Sequence, residues 1–212
     1  YKALFRLTFN AMKQAGLKNI VWSYSPNAQA NDTHEHYFSF YPGDKYVDIL
    51  GVDLYQFNGK EAFIEQCQNE MRIMSAYAKT HKKLYALTEA GYRNTPDAQW
   101  YTSTLLPAIQ GYAPSYVLLW RNAWDRPEEN FGPAPNKECA ADFKKIHQQG
   151  AFLFRSQLKN IKKCCNEINL KGRRLCMLNV KVDRKEILKA IQIVENSVTE
   201  NKIREVLSGI YI

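Results

Sequence analysis

Leu84-Tyr85-Ala86-Leu87-Thr88-Glu89-Ala90-Gly91-Tyr92 is an apolar run that closes on a carboxylate. A short apolar segment of this kind, set between helical patterns, reads as a parallel strand covered on both faces. An acid at its far end is accommodated where the strand emerges into a pocket, the place at which α/β sheets and barrels keep their chemistry. Gly91 lets the chain turn beside that acid with little bulk. A Glu after a strand is also commonly a solvated loop residue or a helix cap, so the neighbouring segments decide between the two readings.

Upstream of this strand, Asn58-Gly59 precedes a helix to about residue 79, with Phe63, Cys67, Met71, Met74 and Ala78 along one stripe. Cys67 and the two methionines read as core filler. Before that helix, Val47-Asp48-Ile49-Leu50-Gly51-Val52-Asp53-Leu54-Tyr55 is a strand whose last polar residues, Asp53 and Tyr55, share a face. Pro42-Gly43-Asp44 is a turn, and a polar, aromatic loop over residues 28–41 contains His34-Glu35-His36, read as solvated. Residues 20–24 read as another strand, and residues 2–15 as a helix with Phe5, Phe9 and Met12 on one side, capped by Gly16.

Downstream, Thr95-Pro96-Asp97 opens a helix through Trp100 and Leu105 that bends or ends near Pro107. Ser115-Tyr116-Val117-Leu118-Leu119-Trp120 is a further apolar strand, and it delivers Arg121, Asn122 and Trp124 at its exit. The alternation of strands and amphipathic helices predicts a parallel sheet with right-handed crossovers, all strands pointing one way. Their carboxyl ends then present Trp22 and Tyr24, Asp53 and Tyr55, Glu89 and Tyr92, and Trp120, Arg121, Asn122 and Trp124. Aromatic platforms beside Asp, Asn and Arg suit a saccharide, whose ring faces are apolar and whose hydroxyls take directed hydrogen bonds. Cleaving a glycosidic bond needs two carboxyl groups, of which Glu89 is one convincing candidate.

Composition sets outer bounds. The 212 residues are too few for a whole (β/α)8 barrel of about 250. No run of about 18 apolar residues could span a membrane, and no secretory leader pattern opens the chain, which leaves open where the full protein resides. The net charge of +8 is unevenly spread, with 16 Lys and Arg against 15 Asp and Glu in residues 1–145, and 13 against 6 in residues 146–212. The body is nearly neutral and the tail basic, and a basic run is more often a solvated face than a nucleic-acid site. The five cysteines form no C-x-x-C pair, so neither a zinc site nor a disulfide framework is suggested, and no metal or cofactor is expected.

Five motifs in order carry a resemblance: Trp22-Ser23-Tyr24-Ser25-Pro26-Asn27, Tyr41-Pro42-Gly43-Asp44, the strand at 47–55, Leu87-Thr88-Glu89-Ala90-Gly91-Tyr92 and Trp120-Arg121-Asn122-Ala123-Trp124. Residues 1 to about 160 resemble the C-terminal half of the family 26 glycoside hydrolases, retaining β-mannanases on a (β/α)8 barrel. The resemblance implies strands five to eight of the barrel. It makes Glu89 the nucleophile, Tyr55 the residue that orients it, and Trp22, Tyr24, Asp53, Tyr92, Trp120, Arg121, Asn122 and Trp124 the substrate contacts. Tyr24 stands where the family more often has Trp. The family's acid/base Glu follows a His on the fourth strand, upstream of residue 1, so the chain is expected to be a fragment with little activity alone. Mannan or a manno-oligosaccharide is the implied partner, a monomer the implied state, and the outside of the cell, periplasm or cell surface the implied location.

The tail is read separately. Residues 161–176 form a basic linker, and 177–212 a strand, helix and strand that resemble the first unit of bacterial DNA polymerase sliding clamps. A clamp segment after a hydrolase domain has no functional logic, and a fused reading frame accounts for it. The expected architecture is thus α/β, a partial barrel over 1–160 plus a small β-α-β appendage. The alternatives are a mannan-binding module without chemistry and, through the basic tail, a nucleic-acid-associated protein.

Overall fold

β-Branched and aliphatic residues over Ile49–Tyr55 (β2) and Leu84–Gly91 (β3) form the two central strands of a four-stranded parallel sheet, flanked by Ser23–Tyr24 (β1) and Val117–Leu119 (β4) in the order β1-β2-β3-β4. The computed structural model describes residues 1–126 and 128–152; the proposed linker and β-α-β appendage lie outside them. The described chain forms two units, one of residues 1–22 and 40–47, the other of 23–39 and 48 onward.

In the first unit, α1 (Lys2–Gln14) runs as its apolar spacing predicts, and Gly16 follows it at φ 79°. Phe5 and Phe9 meet the Trp22 indole at ring centroids of 5.7 and 5.2 Å, and Phe9 meets Tyr46 at 5.2 Å. Arg6 Nε donates to the Pro42 carbonyl at 2.8 Å and so ties the helix to the Pro42-Gly43-Asp44 turn.

The second unit holds the sheet. The expected strands at 20–24 and 115–120 are shorter than their apolar runs, because only Ser23 and Tyr24, and Val117 to Leu119, find ladder partners. Burial is deepest on β2, where Leu50, Val52 and Leu54 are 3% exposed or less, whereas Leu84 at the start of β3 is 55% exposed. The helix α3 (Lys60–His81) buries the predicted stripe of Phe63, Cys67, Met71, Met74 and Ala78, and ends on Lys82 in the left-handed conformation. Past β3, Asp97 receives the Gln99 amide at 2.8 Å. The chain then makes a π-helical turn at Tyr101–Leu105 before the short α4 (Leu106–Ile109), in place of the single helix expected from 95. Pro107 has no N–H to continue a regular ladder, and Asp142 of α5 (Ala140–Gln148) takes both the Thr102 amide at 2.9 Å and its hydroxyl at 2.6 Å.

The His34-Glu35-His36 trio differs from its expected loop. It forms α2 (His34–Tyr37), capped by the Thr33 hydroxyl, which accepts the His36 amide at 3.2 Å, and His36 Nδ1 pairs with Asp32 Oδ1 at 2.5 Å. Beside Asp32 lies Glu70, fully buried on α3, with its carboxyl facing that of Asp32. Burial, and secondly the Asp32 carboxylate, push its pKa from 4.5 up to about 8. Folding therefore takes up a proton at neutral pH. This contribution to stability is whole below about pH 4.5 and is lost as the pH rises through about 8. Glu70→Gln, which cannot ionise, is expected to flatten that decline, as read by urea midpoints at mildly acidic and mildly alkaline pH.

Candidate active site

The register between β2 and β3 builds the site. Val52 pairs with Leu87, but the next residue, Asp53, pairs with Glu89, so Thr88 is the extra residue of a β-bulge. Thr88 and Glu89 both reach groups of β2 as a result. The Thr88 hydroxyl donates to Asp53 Oδ1 at 2.9 Å, while Glu89 Oε2 accepts the Tyr55 hydroxyl at 2.6 Å. Gly51 makes room for this, since a Cβ there would collide with the Thr88 side chain. From β1 the chain continues alongside β2, with the Asp53 amide donating to the Pro26 carbonyl at 3.0 Å. This brings the Ser25 hydroxyl to Asp53 Oδ1 at 2.7 Å and into a short contact with the Thr88 hydroxyl.

The electrostatics follow from that packing. Glu89 is half-buried, and burial raises its pKa; the Tyr55 hydrogen bond lowers it and the Asp53 charge raises it again. Asp53 is likewise raised by burial and lowered by the Ser25 and Thr88 hydroxyls. Tyr55 is pushed far up by burial and by Glu89, so it stays a hydrogen-bond donor throughout the accessible range. Phe131 stacks edge-on against Tyr55 at 5.2 Å and occupies the space over Gly91, where a Cβ would come within 2.7 Å of its ring. Among the described residues no group of three or more His, Cys, Asp or Glu could hold a metal ion.

Several expected contacts are placed differently. Tyr24 was expected as a stacking surface, but it is 2% exposed and its hydroxyl donates to the Tyr37 carbonyl at 2.7 Å, which leaves no ring face for a ligand. Asn122, exposed after β4, accepts the Gly132 amide at 3.0 Å and Lys137 Nζ at 3.3 Å on its Oδ1. Trp22 packs on Phe5 and Phe9 within the first unit. Trp120 is half-buried, its amide held by the Ala90 carbonyl at 2.9 Å, and Tyr92 is half-buried at the exit of β3. Arg121 faces Asp125 at 3.6 Å, an exposed pair of little net strength. Trp124 is 92% exposed. Ser25, Thr88, Phe57 and Phe131 had no signal in the sequence strong enough to mark them; the parity of Thr88 assigns it to the opposite face until the bulge is known.

The arrangement is a carboxylate held by a phenol at the end of a parallel strand, with a second carboxylate beside it. The sequence profile described as Glycosyl hydrolase family 26 matches residues 1–152, most of the chain. The chain belongs to this family. A mannan endo-1,4-beta-mannosidase of Bacillus subtilis (strain 168) is 29% identical over 127 residues, which are 58% of this chain and 31% of that protein. Endoglucanase H of Acetivibrio thermocellus is 25% identical over 128 residues, 57% of this chain and 14% of that one. The solved structure of a family 26 beta-mannanase from Bacteroides ovatus is 40% identical, superposes with a TM-score of 0.70, and shares 74% of this chain and 45% of its own. The chain thus spans less than half the length of these relatives. For this family 26 chain, the match ends at residue 152 and leaves the basic tail outside it.

Removing the Tyr55 hydroxyl isolates its role. The Tyr55 hydrogen bond favours the ionised form of Glu89, so Tyr55→Phe is expected to raise the Glu89 midpoint in a carboxyl 13C titration. An unchanged midpoint would argue that the phenol does not act on the carboxylate.

Proposed function

We propose that this chain carries the nucleophile side of a retaining glycoside hydrolase that cleaves β-1,4-mannosidic bonds, with β1 to β4 serving as strands five to eight of a (β/α)8 barrel. The observation that carries the reading is Glu89 at the end of β3 with the Tyr55 hydroxyl on its carboxylate at 2.6 Å. Glu89 attacks the anomeric carbon, the bond to the leaving oxygen breaks, and water later releases the sugar. In retaining enzymes the general acid is a second carboxyl roughly 5–5.5 Å from the nucleophile. Asp53 is held by two hydroxyls and is not assigned that part; the family resemblance puts it on a carboxyl outside the described residues. The 212-residue chain alone is therefore expected to hydrolyse mannan slowly or not at all. Trp120, Arg121, Tyr92 and Trp124 are proposed to line the sugar's path. A polymeric substrate is met outside the cell, which supports an exported or surface location.

The test uses a substrate that needs no proton donor. A 2-deoxy-2-fluoro-β-mannosyl fluoride has a leaving group that departs unaided, so attack by Glu89 forms the C1–O bond, expels fluoride and leaves a covalent adduct. Mass spectrometry of the purified chain is expected to find one such adduct, on the peptide containing Glu89. The exposed rings of Trp124 and Phe57 favour a second reading, a saccharide-binding module. Manno-oligosaccharide binding without any adduct would select it.

A further inference from the structure

We propose that Ser25 and Thr88 are positioning residues, a pair of hydroxyls that clamp one oxygen of Asp53 so that its charge is fixed beside Glu89. The geometry is specific. Both hydroxyls reach the same atom, Asp53 Oδ1, at 2.7 and 2.9 Å, and they also touch each other. Each comes from a different strand region, Ser25 from the segment after β1 and Thr88 from the bulge of β3, with Asp53 on β2 between them. The backbone locks the arrangement: Asp53 donates its amide to Pro26 and accepts the Ala28 amide, both at 3.0 Å. Gly51 is required as the floor against which Thr88 packs. A bulge that spends an extra residue to aim a hydroxyl at a carboxylate, next to the residue that performs the chemistry, is the sort of local departure from regular pairing found at active sites.

The chemical consequence concerns the coupled ionisation of two neighbouring carboxyls. Hydroxyl donors favour the carboxylate form of Asp53 against the burial that raises its pKa, and the Asp53 charge makes Glu89 harder to ionise. The other titratable groups that feel Asp53 are Tyr55 on its own strand and Tyr116 leading into β4, and burial keeps both phenols protonated. The clamp therefore sets the pH at which the Glu89 nucleophile becomes available. Without it, Asp53 would hold its proton longer and Glu89 would ionise more easily.

The role of the clamp in catalysis rests on the reading of Glu89 as nucleophile, but its test does not use a substrate. Carboxyl 13C titration of the full 212-residue chain, labelled at Asp and Glu, follows Asp53 and Glu89 directly. In Ser25→Ala/Thr88→Val the Asp53 midpoint is expected to rise and the Glu89 midpoint to fall, while Thr88→Ser, which keeps a hydroxyl, restores both towards the parent values. Should the double variant not fold, as judged by its amide spectrum, Thr88→Val alone is read for the same opposed shifts. Midpoints that stay put in a folded variant, or that move equally in Thr88→Ser and Thr88→Val, overturn the proposal. Failure of the glycosyl adduct with these shifts intact would instead count against the nucleophile reading alone.

Discussion

Glu89→Gln is expected to slow the consumption of an activated β-mannosyl fluoride by roughly 10^4-fold or more, about 5.5 kcal/mol of transition-state stabilisation at about 1.36 kcal/mol per tenfold. The effect is large because, on the proposed reading, the carboxylate supplies the electron pair that forms the new bond to the anomeric carbon. Gln keeps the size of the side chain and an oxygen that can accept the Tyr55 hydroxyl, so the surrounding packing has no reason to change. The parent rate should also fall as the pH drops through the raised Glu89 pKa, since protonation removes the same electron pair, and the Gln variant should lose that dependence. Fluoride release measured across pH for both proteins checks the two expectations together. A Gln variant within tenfold of the parent would remove Glu89 from the reaction.

Trp100→Ala is expected to give the largest loss of stability, about 3–5 kcal/mol. Its indole is fully buried between Phe63, at 5.8 Å, and Tyr101, at 5.1 Å. Truncation leaves a cavity and also orphans Gln56 Oε1, which accepts the indole N–H at 2.8 Å in a buried setting. Domains are stable by only about 5–15 kcal/mol, so the loss should be visible as a fall of roughly 10 °C in melting temperature. The damage should extend to the site. Gln56 follows Tyr55, and its amide donates to the Gly91 carbonyl at 2.9 Å, which holds the end of β2 against β3. Trp100→Phe fills most of the space without the N–H and is expected to lose less. Calorimetry on the three proteins decides the matter, and equal melting temperatures would mean that the ring is not part of the core.

Much of this site was legible before any coordinates. Asp53 and Tyr55 share a face because strand side chains alternate, and Glu89 ends an apolar run, so both strand ends could be placed at one edge of a parallel sheet. The exposed and packed residues around them were not legible in the same way. Tyr24 sits at a strand exit like the others, yet it is buried and its hydroxyl is taken by the Tyr37 carbonyl. Residue type and position are the same for a ring that stacks on a ligand and a ring that fills the interior; the difference lies in what the rest of the chain lays over it.

By itself the sequence determined that strands and helices alternate, that the strands run parallel, and that Glu89 and Tyr55 close two neighbouring strands, because hydrophobic periodicity and chain direction are local properties. The tertiary structure alone decided that Thr88 is the extra residue between Val52 and Asp53, and with it that Glu89 stands beside Asp53 and that Ser25 and Thr88 grip the same carboxyl oxygen. A bulge is a mismatch between two strands far apart in the chain, and neither strand carries its register alone.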